Sequence, residues 1–410
     1  MEWLEQPVLP EAATDTVFIG ASPLPAAADT AESATVVRNG ETFVGIRNVD
    51  AMPPFLMSVV SNGNLWLFVG SNSPFTAGRG DADHAIFPYR TADKILRHPG
   101  ASGARSLFLV ERDHGYSLWE PWQSAPGTYR TRRNLFKSEF GTSVIFEEIN
   151  DDLGLSFAWT LTTSEAFGLV RFCTLENLRP DTVRVRYLDG WNQILPAGIG
   201  QDLFDKFSYL AAAYMRHENQ CGLGIFTLNS GITDRAEPCE SLRAAAAWSL
   251  GHPASTVLLC ARQVEQFRRG QPVKNESEVR GEFGAHFICG TTQIKSGAGH
   301  EWISVADTGL DHCALTKLKM QLASPAALRK AVEADVVATR EGLKRRIAAA
   351  DGLQQTADTT ASVHHFANVL FNCMRGGTLP DGYRFPKSDF ASFLQLRNAT
   401  IAARHEARLE

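Results

Sequence analysis

The chain has 410 residues, of which 44% are hydrophobic and 21% charged, with 24 Phe and 8 Trp. That make-up is an ordinary globular protein, long enough for two or three domains and rich enough in aromatics for a large core. A net charge of −5 and a pI near 6.1 exclude an electrostatic nucleic-acid binder.

No run of about 18 apolar residues is present to cross a membrane as a helix. The acidic start, MEWLEQPVLPEAATDT, lacks the basic and apolar stretches of a signal peptide. A cytoplasmic location is the expectation. The 7 Cys are odd in number and widely spaced, with no C-x-x-C. They read as small core hydrophobes and not as a disulfide framework or zinc site, and no metal is expected.

Residues 1–36, rich in Ala, Pro, Thr and acids, read as a partly ordered lead-in, with Val17–Ile19 available as an edge strand. Residues 37–320 read as β: short apolar or alternating runs recur between turn signals. Within them, Phe55 to Val60 and Leu65 to Val69 form a hairpin about the Asn62-Gly63 turn. The chain then changes character. Ser71 to Lys94 reads as a polar loop carrying Arg79, Asp81, Asp83, His84, Tyr89, Arg90, Asp93 and Lys94. Such a loop either presents ligand-recognising groups on a rigid scaffold or pairs its charges with one another.

Further along, Ser143–Ile149 and Leu155–Leu161 pair across the Asn150–Gly154 turn. Phe167–Glu176 and Thr182–Leu188 read as a second pair, with Arg184 and Arg186 on one face and Val183, Val185 and Tyr187 on the other. Later strands fall at Cys221–Asn229, Ala244–Leu250, Ser255–Arg262, Gly284–Ile294 and His300–Asp307. More than ten strands without interleaved helices fit a large antiparallel sandwich and not a parallel α/β sheet. The exception is Phe204–Glu218, where Phe204, Phe207, Leu210, Ala211 and Tyr214 recur at helical spacing.

At about residue 321 the composition shifts, and all 8 Trp lie before it. Residues 321–410 read as helical. Ser324-Pro325 starts a helix with the stripe Leu328, Val332, Val336, Leu343 and Ile347, and Asp351-Gly352 ends it. A second helix covers Thr360–Met374 and stops at Gly376-Gly377. A third begins near Asp389 and reaches the last residue without a stop signal, as if cut from something longer.

Motifs for other chemistry are missing: there is no P-loop, no G-x-G-x-x-G, no G-x-S-x-G and no H-E-x-x-H. Sugar recognition has better support, since sugars are held by aromatic faces and by Asp, Asn, Gln and Arg on their hydroxyls. Trp119, Glu120, Trp122 and Gln123 lie together, and Asp189, Trp191, Asn192 and Gln193 repeat that chemistry. Each Trp group reads either as a sugar platform or as a plug in the sandwich core. Glycoside chemistry needs a carboxylic acid opposite a second carboxylate or a phosphate. Asp81, Asp83, Asp93, Glu120 and Asp189 are candidates, and none is marked as the acid.

Four segments together resemble the cellobiose-phosphorylase-like glycoside phosphorylases: SNGNLWLFVGSNSPFTAGRGDADHAIFPYRTADKI, YLDGWNQILPAGI, DRAEP at Asp234–Pro238, and FANVLFNCMRGGTLPDGYRFPKSDF. The resemblance implies a galactose-mutarotase-like β supersandwich, then linker helices, then an (α/α)6 barrel that carries the catalytic acid. Only the first two parts fall in this chain, so no catalytic residue is carried over.

The resemblance also implies β-linked oligosaccharides as ligands, inorganic phosphate as the intact enzyme's co-substrate with no other cofactor, and a homodimer. A catalytic helical barrel, in the same polypeptide or a partner, is implied too. Arg79, Asp81, Asp83, His84, Tyr89 and Arg90 become the first group of site residues, with Trp119, Trp122 and Trp191. Arg375, Tyr383, Arg384, Lys387 and Asp389 form a second group, facing phosphate or the barrel, or else locking sandwich to linker. The alternatives are a non-catalytic glycan-binding or dimerisation module, and a stand-alone mutarotase-like enzyme using His84 with Asp81 or Asp83.

Overall fold

The computed structural model describes residues 18–19, 22–23, 30–38, 40–97, 103–122, 128–232, 241–253, 255–354, 356–375 and 386–409. The DRAEP segment, Gln123, Cys239, Gly376-Gly377, Tyr383, Arg384 and most of the lead-in lie outside the described residues.

Alternating residues make strands here: one phase of most strands points to a shared core, and the other phase of several is covered by helices on the outer faces. The largest sheet has eleven antiparallel strands. From one edge they run Glu278–Arg280, Met215–Gln220, Leu223–Leu228, Ala244–Leu250, Gly299–Leu310, Gly168–Asn177, Leu155–Ser164, Ser143–Asn150, Thr131–Ser138, Glu41–Arg47 and Glu32–Arg38. A five-stranded sheet is ordered Gly115–Trp119, Gly103–Arg112, Val183–Ile194, Gly284–Ile294 and Thr256–Leu258. A four-stranded sheet follows chain order: Leu56–Val59, Leu65–Gly70, Phe75–Arg79 and Ala85–Phe87.

One core unites these three sheets, while Phe18–Ile19 and Ser22–Pro23 form a separate two-stranded pair. Phe146, Phe157, Trp159 and Leu161 come from the large sheet, Phe108, Val185 and Trp191 from the five-stranded one, and Val69, Phe75 and Phe87 from the four-stranded one. Burying each such side chain contributes about 1.5–3 kcal/mol. The fold is thus mainly β, a large antiparallel sandwich with helices at its C-terminal end, as the sequence predicts.

A buried polar network ties the layers. Arg171, on the large sheet, donates from Nη1 to both Asp189 oxygens at 2.8 and 2.9 Å, and from Nη2 to Ser106 Oγ at 2.9 Å. Asp189 also accepts from Ser106 at 2.6 Å and from Trp302 Nε1 at 2.7 Å. Burial opposes the Arg171 charge, but Asp189 outweighs it and raises the guanidinium pKa.

Helix α1 is Ala92–Arg97, α2 Gln201–Tyr214, α3 Val264–Arg268, α4 His312–Leu322, α5 Pro325–Ala349 and α6 Thr359–Met374. Shorter helices follow at Lys387–Arg397, Ala399–Arg404 and Glu406–Leu409. Helix α5 starts at Pro325, as expected, and lies on the outer face of the large sheet. Its stripe Leu328, Val332, Leu343 and Ile347 is buried. Thr339 is buried among them because its hydroxyl accepts from the Glu165 N–H at 3.0 Å.

Several expectations are corrected. Phe167–Glu176 and Thr182–Leu188 are not partners: Gly168–Asn177 joins the large sheet and Val183–Ile194 the five-stranded one. The short 178–182 connection crosses between layers, because each strand carries a separate buried phase. The helix predicted over Phe204–Glu218 ends at Tyr214, and Met215–Gln220 is a strand, with Met215 and His217 alternating inward. Ser71–Lys94 is not one polar loop: Phe75, Ala77, Ile86 and Phe87 are buried and form two of the strands in the four-stranded sheet.

Regular structure also differs at the segment boundaries. Glu32–Arg38 begins inside the predicted lead-in, and α4 replaces the end of the predicted β region. The final helix is broken at Asn398 and His405. Among the described cysteines, Cys173, Cys260 and Cys289 are buried, but Cys221 and Cys313 are exposed in turn and helix positions and fill no core.

Candidate functional site

The four-stranded sheet gathers the first group of predicted residues at one end, beside α2. The strand pair there is close because residue 78 is Gly: a Cβ would sit 2.5 Å from the Trp66 ring and 2.6 Å from the His84 carbonyl oxygen. The chain then turns through a short 3₁₀ helix, Ala82–His84, capped by Asp81 accepting from the Asp83 N–H at 3.1 Å.

That turn brings His84 Nδ1 to 2.6 Å from Asp81 Oδ1. The hydrogen bond from His84 is the main reason the Asp81 carboxyl is held below its usual pKa. In the neutral tautomer that donates Nδ1–H to Asp81, Nε2 is the acceptor, the arrangement a general base needs. Both side chains are about two-thirds exposed, at 67% and 66%, so water bathes the pair.

The other members have structural partners. Arg79 is held on three sides: by Asp307 at 2.6 and 2.9 Å, by Asn64 Oδ1 at 2.9 Å and by the Glu165 carbonyl at 3.2 Å. It clamps the four-stranded sheet to the large one. Asp83 accepts from the Gln201 N–H at 2.9 Å and so supplies the cap at the N-terminus of α2, where Gly200 has no side chain to do it. Tyr89 stands edge-on to Trp66 at 5.8 Å, and Trp66 Nε1–H donates to the Asp81 carbonyl at 3.0 Å.

Arg90 lies 5.7 Å from the Phe204 ring centroid, and its Nε–H is buried without a partner. Asp93 accepts from Thr91 at 2.6 Å in the first turn of α1, and this bond lowers its pKa. Of the predicted set, the fold therefore leaves His84, Asp81, Tyr89 and Arg90 as groups able to meet a ligand.

The Trp platforms are corrected. Trp119, Trp122 and Trp191 are buried in the sandwich core and present no ring face to solvent. Trp119 Nε1 and the Trp122 backbone N–H both donate to the buried Glu148, at 2.7 and 2.8 Å, and Trp191 packs edge-on against Phe75. Glu120 pairs with Arg268 at 2.6 Å, and Asp189 belongs to the Arg171 network. Within the second group, Arg375, Lys387 and Asp389 are exposed and enter no ion pair among the described residues. Among the described residues, the ion pairs that join sandwich to linker are Arg340–Glu41 at 2.9 Å and Arg329–Glu301 at 3.2 Å.

Sequence reasoning missed two clusters. One is Tyr187, whose Oη is 3.0 Å from His252 Nδ1, with His300 and Trp302 packed alongside. Burial lowers the His252 pKa to about 4 and raises that of the Tyr187 phenol. The other is a row of hydroxyls, Ser143, Thr160 and Thr174, on the outer phase of the large sheet beneath α5. The second had a signal: Thr160 and Thr162 recur every second residue opposite the apolar phase.

No known protein family and no curated protein matches this sequence. Among solved structures, the chain is similar to a bacterial glucoamylase complexed with acarbose, at 10% identity and a TM-score of 0.40, over 77% of this chain and 40% of that one. It is also similar to a protein assigned as an aldose 1-epimerase from Escherichia coli K12, at 8% identity and a TM-score of 0.34, over 63% of this chain and 100% of that one. A third similarity is to 4-alpha-glucanotransferase from Thermococcus litoralis, at 9% identity and a TM-score of 0.27, over 68% and 39% of the two chains. Among the described residues, no helix is long and apolar enough to cross a membrane.

Proposed function

We propose that this chain is the sandwich and linker part of a carbohydrate-active protein of the glycoside-phosphorylase-like kind. Its work is to seat a helical catalytic partner, in the same polypeptide or a separate one. One observation carries the reading. Among the described residues, none of the helix Lys387–Arg397 is buried, and Phe393 is exposed at 54% and Leu396 at 84%. At the end of α6, Met374 is exposed at 66% and Phe371 at 43%.

An eleven-residue helix is below the length at which isolated helices hold in water, so an apolar face of this kind calls for a partner. In the intact protein, β-linked oligosaccharide and inorganic phosphate are the substrates, and a homodimer is the assembly. Arg90, with its unpartnered Nε–H, is the residue of this chain best suited to an anion.

The test is the mass of the native gene product together with dye binding by the chain made alone. A product far heavier than 44.9 kDa, with strong dye binding by the isolated chain, supports the reading. A product of that mass, with no dye binding and with terminal helices that resist proteolysis, sinks it.

A second reading, a mutarotase-like enzyme, is favoured by the 2.6 Å contact between His84 and Asp81. It predicts faster optical-rotation decay of fresh glucose or galactose, lost in His84→Ala. A rate equal to buffer in the unaltered chain ends it.

A further inference from the structure

We propose that the cleft between the outer face of the large sheet and helix α5 binds a neutral, polyhydroxylated ligand, a mono- or oligosaccharide. The inference stands on the lining of the cleft and does not need the proposed seating of a helical partner.

The cavity is about 540 Å³, inside the range of small-molecule sites. Its floor is the outward phase of four adjacent strands. Ile145 and Phe172 give it an apolar base, and the hydroxyls of Ser143, Thr160 and Thr174 stand among them. Ser143 is 95% buried, from a relative exposure of 5%, and its Oγ has no hydrogen-bond partner. Ser143 lines the cleft and its hydroxyl takes no partner within the chain, so that a turn about its χ1 would present it to a ligand hydroxyl that completes the bond.

The charges exclude ionic ligands. Each arginine of the lining already meets a carboxylate: Arg340 meets Glu41 at 2.9 Å, Arg38 meets Glu147 at 2.8 Å, and Arg329 meets Glu333 at 2.9 Å and Glu301 at 3.2 Å. Of the lining residues themselves, three are arginines, Arg38, Arg329 and Arg340, and three are glutamates, Glu41, Glu301 and Glu333, so their formal charges cancel. What remains is an apolar floor with hydroxyl donors and acceptors, the recognition chemistry of a sugar's C–H face and hydroxyl rim. Two larger clefts, one between α4 and α5 that includes Lys317, Met320 and Leu328 and one beside Pro253 and Cys289, hold no buried unpartnered polar group among the described residues and make no such case.

The experiment is calorimetric or ligand-observed NMR titration of the full chain with glucose, cellobiose and maltose, and with inorganic phosphate as the charged control. The expected result is saturable binding of at least one of the sugars and no competition by phosphate. Ser143→Ala and Thr160→Val should each weaken that binding about fivefold or more, the size of one lost hydrogen bond. Ser143→Ala should leave the free protein at least as stable in thermal unfolding, because it removes an unsatisfied group. Absence of saturable binding by all three sugars overturns the proposal. So does sugar binding that both variants leave unchanged, or phosphate displacing the sugar. If Thr160→Val fails to fold, Thr174→Val replaces it with the same expectation.

Discussion

Replacing Arg171 by methionine tests how the two main layers are held together. Arg171 and Asp189 are each 1% exposed. The substitution removes three donated hydrogen bonds, two to Asp189 and one to Ser106. Asp189 is then a buried carboxylate supported only by Ser106 and Trp302. Breaking a buried pair from one side costs about 3–5 kcal/mol, most of it the stranded charge. With a urea dependence of about 3 kcal/mol per M or more for a chain of this size, the midpoint should fall by on the order of 1 M. Circular dichroism and Trp fluorescence in parallel urea titrations would read it. Adding Asp189→Asn to Arg171→Met should recover part of the loss, because the charge is gone; in the wild-type background the same change should destabilise. A loss below about 1 kcal/mol in Arg171→Met, or strict additivity of the two changes, would refute the view that this network fixes one sheet to the other.

Three other outcomes are expected. His217, His252 and His286 are held neutral by burial, with pKa values lowered to about 4 from 6.5. The unfolded chain therefore binds more protons than the folded one between those values, and stability present above pH 6.5 is lost as pH falls toward 4, at up to ~4 kcal/mol per pH unit; a urea midpoint that stays flat over this window counts against their burial. Gly190→Ala places a Cβ 1.9 Å from the His286 carbonyl oxygen and should abolish soluble expression or cost several kcal/mol, whereas Gly299→Ala, with its nearest neighbour at 3.4 Å, should express and melt near wild type. Arg340→Ala removes the contact with Glu41 and should raise amide exchange in α5 while strands 155–164 stay protected; unchanged exchange in α5 would mean that its apolar stripe alone holds it.

The strands were legible where one face is wet, as in Val183, Val185 and Tyr187 against Arg184 and Arg186, because burial and period then agree. Helix α5 was legible from Pro325 and its stripe. What failed was partnership. Nothing in Phe167–Leu188 says that its two strands belong to different sheets, since the crossing is decided by what lies beneath each strand. The Trp residues failed as site markers for a related reason: next to Glu, Trp reads as a sugar platform, yet the same pairing serves a core in which Glu148 receives an indole N–H. The contact of His84 with Asp81 was reachable because three residues of one turn set it. The hydroxyl row under α5 needs strands from distant parts of the chain, and only its Thr160–Thr162 alternation was visible.

The order of the large sheet has a consequence for self-association. A sheet ends in two rows of unpaired backbone groups, and each is a template for another strand. At one end the terminal strand is only Glu278–Arg280, and Glu278 pairs both with Arg280 and with Arg216 of the neighbouring strand. At the other end, Glu32–Arg38 offers seven residues, charged only at its extremities, with Val37 exposed at 71%. Among the described residues, the two rims of this sheet are unequal in their protection against strand addition, and the second is the more open of the two to a cross-β contact between copies.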